Sequence, residues 1–463
     1  MTRSQSERGR FTVEDAENQT SVSVGMMSSS LDRLLSNPYR TQREKLDLLQ
    51  TNWRAELERL DDDALHETLR AIRKGLNSKK LRTQVDAFIG ALRRDGADGS
   101  APLPKPARAD APPLATADVE RAEPHRNPDF EAKLAADPRD AATYLVYRDW
   151  LEGQGFVHEG RVTLGPLSNC EDMLDELEWR QGFIRAATVR YTLARFNGER
   201  PDVRIEQALA WLLDDPGPGR FLERLTIGLA RHDANDYAGV CRTIGARLRP
   251  ALLELMIGDF TSDECELNWT SINDTSLLWP AVPRLRKLHL RAGSMRLDGI
   301  DLPQLRELET TTGGLPPEAL AAIANAHWPR LERLSLQIGL AEQDAATDVA
   351  LVEPLLAGTK LPALTHLGLC NCEFTDELCE RLATAPILPQ LRSLDLSMGT
   401  MSMDGVQALL RTPEAFARLE RISVGYNYLP EDARALLESL GPAIDFDWQR
   451  EDEGFGRYAS AYE

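Results

Sequence analysis

Apolar residues in the second half of the chain follow one repeated phrase, Leu-x-x-Leu-x-Leu. Eight copies occur, four complete and four looser, and successive copies start 20 to 33 residues apart. They begin at Leu222, Leu252, Leu285, Leu305, Leu331, Leu364, Leu391 and Leu419. The last two apolar residues of each phrase are two positions apart, which is the spacing of side chains on one face of a β-strand. The pattern predicts a short strand at every copy, with its apolar side chains turned inward.

Amphipathic segments lie between several of these predicted strands. Four of them open with acidic, Ser, Thr or Pro residues, as helices prefer, and they cover residues 316–327, 375–386, 403–412 and 430–440. The interval from Leu285 to Leu305 is too short for a helix and predicts a loop. A period of this length with this phrase is typical of leucine-rich repeats. The chain therefore resembles the ribonuclease-inhibitor type of repeat protein, an α/β solenoid with a parallel concave sheet and helical convex limbs.

Residues 127–156 carry a second resemblance. The segment resembles the short repeat-companion domain that precedes leucine-rich repeats in many bacterial proteins. The matching residues are Phe130, Asp137-Pro138, Asp140, Leu145, Tyr147, the Asp-Trp-Leu phrase at 149–151 and Gly155. The resemblance implies a bacterial repeat protein and no settled biochemical activity. We accordingly expect this domain and the solenoid's N-terminal cap over residues 127–200. The repeats follow over residues 201–441, and a C-terminal cap or tail with Phe446 and Trp448 over residues 442–463.

The first 126 residues show no such repeats. Residues 1–30 are polar and Ser-rich, which predicts a disordered tail. Residues 31–94 repeat apolar side chains at spacings of three and four, which predicts a small all-α region. Residues 95–126 are rich in Pro and Ala, which is typical of a flexible linker.

Charge is distributed unevenly along the chain. The formal net charge is −19, and residues 127–463 hold 53 acidic against 33 basic residues. This acidic half should repel phosphate backbones and anionic membranes, so nucleic acid is an unlikely partner there and no membrane association is expected. The sequence carries no visible secretory signal and no membrane-length apolar run, and its six cysteines are scattered. We therefore expect a cytoplasmic location.

Side chains that alternate with the inward leucines should lie on the concave face. The partner-binding candidates there are Lys287, His289, Arg291, Glu307, Glu309, Arg333, Gln337, His366, Asp395 and Arg421. Their mixed charges suit a protein surface, with the basic residues facing Glu307 and Glu309. One interpretation is an ordinary solvated sheet face. The other is a docking strip for a protein partner, which would make the chain an adaptor, a sensor or a regulatory subunit.

Sequence motifs for catalysis are lacking, so the prediction is a protein that is not an enzyme and needs no cofactor, metal or small-molecule substrate. Two alternatives stay open. The segment 70–94 has eight basic residues and one acidic residue, and it could bind nucleic acid or an acidic partner. Cys370, with Cys372 and Cys379 nearby in sequence, could form a cryptic thiol or metal site.

Overall fold

The structure is a computed structural model, and it describes residues 126–459 except 199, 202, 215–216, 232–234 and 453–455. These residues belong to one compact unit, Asp118–Glu463. The predicted disordered tail, the small helical region with its basic segment 70–94, and nearly all of the linker lie outside the described residues.

Strands dominate one side of this unit. In chain order they are β1 Val157–His158, β2 Arg161–Val162, β3 Leu174–Arg180, β4 Phe183–Val189, β5 Arg224–Ile227, β6 Asn235–Asp236, β7 Glu254–Ile257, β8 Thr270–Ile272, β9 Lys287–Arg291, β10 Ser294–Met295, β11 Glu307–Thr311, β12 Arg333–Gly339, β13 His366–Cys372, β14 Ser393–Asp395, β15 Arg421–Ser423 and β16 Ala443–Asp445. Every one of the eight repeated phrases forms a strand, as predicted.

Eleven of the strands form one sheet whose order follows the chain. The sheet runs β3-β4-β5-β7-β9-β11-β12-β13-β14-β15-β16, with β3 antiparallel to β4 and all later neighbours parallel. A smaller parallel sheet joins β6, β8 and β10, and β1 pairs with β2. The fold is thus mixed α/β with a long parallel sheet, as the sequence predicted.

Helices return the chain between the strands. In chain order they are α1 Pro128–Ala136, α2 Ala141–Glu152, α3 Leu193–Phe196, α4 Ile205–Leu213, α5 Ala238–Gly245, α6 Leu278–Ala281, α7 Pro317–Asn325, α8 Glu353–Ala357, α9 Thr375–Leu382, α10 Met403–Leu410, α11 Pro413–Phe416 and α12 Asp432–Glu438. The four predicted limbs contain α7, α9, α10 and α12. The short interval between β9 and β11 holds a loop and the two-residue strand β10, as expected.

Register explains how the repeats share one core. Leu255, Leu288, Leu308 and Leu334 lie side by side on consecutive strands, and each is almost fully buried. Burying a leucine completely contributes about 1.5–3 kcal/mol. No single strand can bury its leucines alone, so the repeats stabilise one another through their neighbours.

A buried amide supports the turn after β15. Asn427 is completely buried, and its Nδ2 donates to the carbonyl oxygens of Leu396 at 2.8 Å and Val424 at 3.0 Å. Its Oδ1 accepts from the Met401 N–H at 2.9 Å. The side chain therefore joins two successive repeats and satisfies backbone groups that would otherwise be buried without partners.

Helices α1 and α2 cover the start of the sheet. Asn127 caps α1 and Asp140 caps α2, each accepting two backbone N–H hydrogen bonds. Tyr147 and Leu151 of α2 are fully buried and pack in one cluster with Phe183 of β4. Phe130 and Trp150 of the repeat-companion pattern pack against this cluster, whereas Leu145 of the same pattern is 41% exposed.

The sheet extends further than the repeated phrase at both ends. Strand β4 has the sequence FIRAATV, which lacks the phrase, yet it is buried along its whole length and pairs in parallel with β5. Strand β16 lies after residue 441, where we expected the repeats to end. Beyond it Phe446 is buried, whereas Trp448 is 74% exposed and does not cover the last repeat.

Candidate functional site

Side chains opposite the leucine core form one face of the long sheet, which we call the exposed face. Its first row runs across consecutive strands and alternates in charge between basic and acidic residues. The row consists of Arg224, Glu254, Lys287, Glu307 and Arg333. The next three strands continue it with His366, Ser393 and Arg421. The first-row candidates predicted from the sequence thus stand in register on neighbouring strands.

Ion pairs connect neighbours within this row. Lys287 Nζ lies 3.4 Å from Glu307 Oε2, and Arg333 Nε lies 4.0 Å from Glu307 Oε1. A further pair joins the two rows: Arg421 Nη2 lies 2.6 Å from Oδ2 of Asp445, which stands opposite Ser423 on the last strand. All of these side chains remain at least one-third exposed. Exposed pairs of this kind contribute about 0–1 kcal/mol, so they stabilise the fold little.

The second row places His289 between two oxygen-bearing side chains. Its Nε2 lies 3.2 Å from Thr311 Oγ1 and 3.8 Å from Glu309 Oε1. Ser335, Gly368, Asp395 and Ser423 continue the row beyond Glu309. Small side chains on β12, β13 and β15 make the floor of this half of the face shallow and polar.

Arg291 departs from the predicted arrangement. It stands opposite Thr311 in register and not opposite a carboxylate. Its guanidinium lies over the Phe260 ring, 4.5 Å from the centroid, and donates to the Phe260 carbonyl oxygen. The prediction that Arg291 faces Glu307 and Glu309 is therefore wrong, because stacking on the loop after β7 engages its guanidinium.

Gln337 and Cys370 are neighbours in register at the end of β12 and β13. Gln337 Oε1 is buried and accepts no hydrogen bond from the residues that the structure describes. Cys370 is buried, and burial raises the pKa of its thiol well above the ordinary value. A protonated, inaccessible thiol is a poor nucleophile, which disfavours the hypothesis of a reactive Cys370.

His366 is the histidine of the first row, on β13. Burial, followed by the nearby Arg333 charge, lowers the pKa of His366 below its ordinary value. Its Nδ1 lies 2.8 Å from Thr365 Oγ1. The imidazole is therefore neutral at neutral pH and adds a hydrogen-bonding group, not a charge, to the exposed face.

Two grooves follow the exposed face and meet at β11. The first has a volume of about 680 Å³ and extends from β3 to β11, and the second has about 650 Å³ and extends from β11 to β16. Both include Glu307 and Glu309. Each is lined by five carboxylates against two Lys or Arg side chains, so acidic groups dominate both halves of the face.

The sequence pattern missed several residues that line these grooves. Glu176, Glu178 and Thr188 come from β3 and β4, and Asp445 comes from β16. β4 and β16 lack the leucine phrase, and β3 carries it only in the looser form Leu174-x-x-Leu177-x-Trp179. The polar–apolar alternation of LDELEWR in β3 was a signal that could have revealed the first two residues.

Metal-binding groups and reactive thiols are the other candidates for site chemistry. Among the described residues, no three His, Cys, Asp or Glu side chains are grouped so that they could hold a metal ion. All six cysteines are free thiols and are buried. Within residues 126–459, apart from the gaps named above, no helix has the length and apolar composition needed to cross a bilayer.

The chain is similar to solved structures but matches no known sequence family or curated protein. No family model matches the sequence, and no curated protein matches it at a significant level. A crystal structure of a Bacteroides fragilis protein matches with a TM-score of 0.50 and 25% identity, covering 58% of this chain and 76% of that one. This similarity concerns the fold over the aligned parts.

Two further solved structures align over similar lengths. Human 5T4, also called Wnt-activated inhibitory factor 1 or trophoblast glycoprotein, is 18% identical over 60% of this chain and 89% of its own, with a TM-score of 0.26. An internalin from Listeria monocytogenes is 14% identical over 58% of this chain and 91% of its own, with a TM-score of 0.19. These TM-scores are too low to carry an argument.

Proposed function

We propose that the chain is a non-enzymatic interaction protein whose stacked leucine-rich repeats form a solenoid and bind a protein partner on the exposed face of the sheet. The observation that carries this proposal is the register of the face. Ten consecutive strands from β4 to β16 align their outward side chains into continuous rows along two grooves. A rigid sheet that presents many side chains in fixed positions suits the recognition of a large surface.

The ion pairs of the first row support this use of the face. Lys287, Glu307 and Arg333 form exposed pairs that contribute little to stability. A partner can therefore replace them at small cost and gain pairs of its own. Buried pairs would resist such exchange, because their separation leaves an uncompensated charge in a low dielectric.

The partner's contact surface should be basic. Five carboxylates against two Lys or Arg side chains line each groove, and residues 127–463 carry a large acidic excess. Complementary charge accelerates association and disfavours wrong partners more than it raises affinity. The same excess makes nucleic acid a poor ligand for this face, because both surfaces are negative.

We further propose that this interaction takes place in the cytoplasm. Six free, buried cysteines fit a reducing compartment such as the cytoplasm. The assignment of residues 127–200 to a repeat-companion domain rests on the sequence pattern, as does the bacterial origin. Binding through the basic segment 70–94 stays a prediction.

The test is a charge reversal on the full-length chain. We expect the double variant Glu309→Lys, Asp395→Lys to weaken binding of a partner, captured from the host and then purified, by about tenfold or more. The effect should be larger at low salt, because the interaction is electrostatic. The measurement is the equilibrium dissociation constant of the purified pair at two salt concentrations.

A matched control changes charge to the same extent elsewhere. Asp298→Lys, Glu438→Lys reverses two exposed carboxylates, one in the loop after β10 and one on α12. This control should stay within about twofold of the unmodified chain, since a distant surface charge is largely screened. Equal losses for both variants would contradict recognition on the exposed face, as would unchanged binding by the first variant.

A further inference from the structure

A non-glycine residue adopts the left-handed region near the carboxyl end of each of the last four strands, within β13 and just after β14, β15 and β16. These residues are Asn371, Met398, Tyr426 and Trp448, with φ of 52°, 66°, 56° and 59°. Each lies five positions after the first residue of its strand. In earlier repeats, glycine takes positive φ after β7 and at the end of β12, at Gly258 and Gly339. The last four repeats thus repeat a conformation that most side chains avoid.

Exposure of these four residues increases toward the end of the sheet. Asn371 is buried and Met398 is half-buried, whereas Tyr426 is 47% exposed and Trp448 is 74% exposed. The rings of Tyr426 and Trp448 stack with centroids 6.5 Å apart and an interplanar angle of 19°. A pair of large aromatic side chains therefore stands on the surface at the carboxyl ends of the last two strands.

Backbone strain distinguishes this pair from other exposed side chains. Asn tolerates left-handed φ, but for Tyr and Trp the conformation is an outlier that the surrounding structure must impose. Glycine at either position would relieve the strain and remove an exposed apolar ring at the same time. Residues held in such conformations concentrate at binding and catalytic sites, so two adjacent ones invite a functional explanation.

Charges around the pair are mainly acidic. Asp445 and Asp447 alternate with the buried Phe446 just before Trp448, and Glu451 and Asp452 follow it. Arg434 Nη2 lies 3.8 Å from Asp447 Oδ1, and the guanidinium of Arg434 lies over the Phe446 ring.

Arg450 points elsewhere, because it donates to the carbonyl oxygens of Met398 and Gly399 and lies over the Tyr428 ring. Among the described residues, the cation–π contacts leave the faces of Tyr426 and Trp448 without a cation.

We propose that Tyr426 and Trp448 form an aromatic platform that binds an arginine side chain of a basic polypeptide. The face of Trp is the best cation–π acceptor among side chains, and a planar guanidinium stacks on it. Asp445 and Asp447 are already paired with Arg421 and Arg434. The exposed Glu451, three residues after Trp448, adds the negative potential that favours a cation over a neutral group. Neither ring lines a groove, although Asp445 beside them does. The binding of an arginine to the rings does not depend on the role of the grooves, so either proposal can fail without the other.

The experiment uses the full-length chain labelled with 5-fluorotryptophan and observed by fluorine NMR. The signal of Trp448 is assigned by its absence in Trp448→Phe. The probe is a short capped peptide with two arginines separated by glycines, and its control replaces both arginines with citrulline, which keeps the planar shape and removes the charge. Titration at about physiological ionic strength suppresses weak attraction to the distant acidic surface.

We expect the Trp448 signal to shift saturably with the arginine peptide and to stay unchanged with the citrulline peptide. Trp448→Gly should bind the arginine peptide about fivefold more weakly, as the loss of one exposed cation–π contact implies, without a lower Tm. Trp448→Phe should weaken binding less, because a ring remains. Leu277→Ala, which trims another exposed apolar side chain, should bind normally.

Several outcomes would overturn the platform. One is a Trp448 signal that ignores the arginine peptide or responds equally to citrulline. Another is a signal that moves with protein concentration alone, which would make the pair a contact between copies of the chain. A third is normal binding by Trp448→Gly, which would place the arginine elsewhere on the surface.

Discussion

Aromatic clusters stand at both ends of the long sheet, but one is buried and the other is exposed. At the amino-terminal end, Tyr144, Tyr147, Phe183 and Phe221 are at least nine-tenths buried, and their rings lie 5.1–5.9 Å apart. At the carboxyl-terminal end, the stacked pair Tyr426 and Trp448 is largely exposed to solvent. Similar side chains thus occupy opposite environments at the two ends of one architecture.

The buried rings stabilise the fold, whereas the exposed rings are available to contact a partner. A repeat array needs cover at its ends. Helices α1 and α2 supply this cover near the amino-terminal end of the sheet, where their side chains and Phe183 of β4 form the buried cluster. Arg185 adds to it, since its guanidinium lies 4.0 Å from the Tyr144 centroid and donates to the Phe221 carbonyl oxygen. The exposed rings at the other end remove little surface from water, so their contribution to stability is small and their faces remain available for contact.

The largest expected effect lies in the buried cluster. Phe183→Ala removes a fully buried ring that packs edge-to-face on Phe221 at 5.1 Å. The cavity should lower the free energy of unfolding by about 3–5 kcal/mol. Urea unfolding of the purified variant, followed by circular dichroism, measures the loss.

Its counterpart at the other end is Tyr458→Ala, which removes a ring that is 56% exposed and packs on Tyr428 at 6.4 Å. For this variant the free energy of unfolding should fall by no more than about 1 kcal/mol. Comparable losses for the two variants would contradict the distinction between a stabilising end and a recognising end.

An intermediate effect is expected from the polar rim of the buried cluster. Glu131 of α1 accepts a hydrogen bond from Tyr147 Oη at 2.8 Å and pairs with Arg126 and Arg220. Burial raises the pKa of Glu131, but hydrogen bonds from Arg126 and Tyr147 outweigh it and hold the pKa below its ordinary value. Glu131→Gln should therefore destabilise the fold at neutral pH by about 1–3 kcal/mol.

The sign of the pH dependence follows from that lowered pKa. The folded state binds its proton less readily than the unfolded state does, so the stabilisation is complete above the ordinary pKa, about 4.3. This stabilisation is lost as the pH falls below the ordinary pKa and through the lower pKa that Glu131 has in the folded state. Unfolding measured from pH 7 to pH 3 should show the gap between the natural chain and Glu131→Gln closing in this window. A gap that is constant with pH would show that the charge of Glu131 is irrelevant.

Periodicity predicted much of this molecule because the core depends on it. The eight leucine phrases placed eight strands and their outward residues, since side chains on a strand must alternate between core and solvent. It did not reveal β4, which has Ala187 and Val189 where the neighbouring strand has Leu225 and Ile227. It also gave no sign of β16, where Ile444 is the sole large apolar residue.

The leucine pattern does not predict the conformations of individual side chains. The sequence placed Arg291 among the outward residues, but only the position of Phe260, thirty-one residues earlier, decides where its guanidinium stacks. Residues 442–463, with Phe446 and Trp448, were expected to cap the last repeat. Phe446 is buried, but Trp448 lies in a left-handed turn and its ring is exposed, and no glycine marks that turn in the sequence.

The smallest expected effect on the free energy of unfolding is at the exposed pair. Tyr426→Gly places glycine where φ is 56° and removes a ring that is about half exposed. Relief of the strained backbone offsets the lost stacking on Trp448 and the greater freedom of glycine in the unfolded chain. The net change in the free energy of unfolding should lie within about 0.5 kcal/mol of zero.

Leu436→Gly is the matched control, because Leu436 is 41% exposed but lies in helix α12. Glycine within a helix costs about 1 kcal/mol, so this variant should be clearly less stable than Tyr426→Gly. If Tyr426→Gly were instead as damaging as Phe183→Ala, the carboxyl-terminal rings would be a structural cap like those at the other end. A stability close to that of the natural chain would leave contact with a partner as the explanation for a strained, exposed ring.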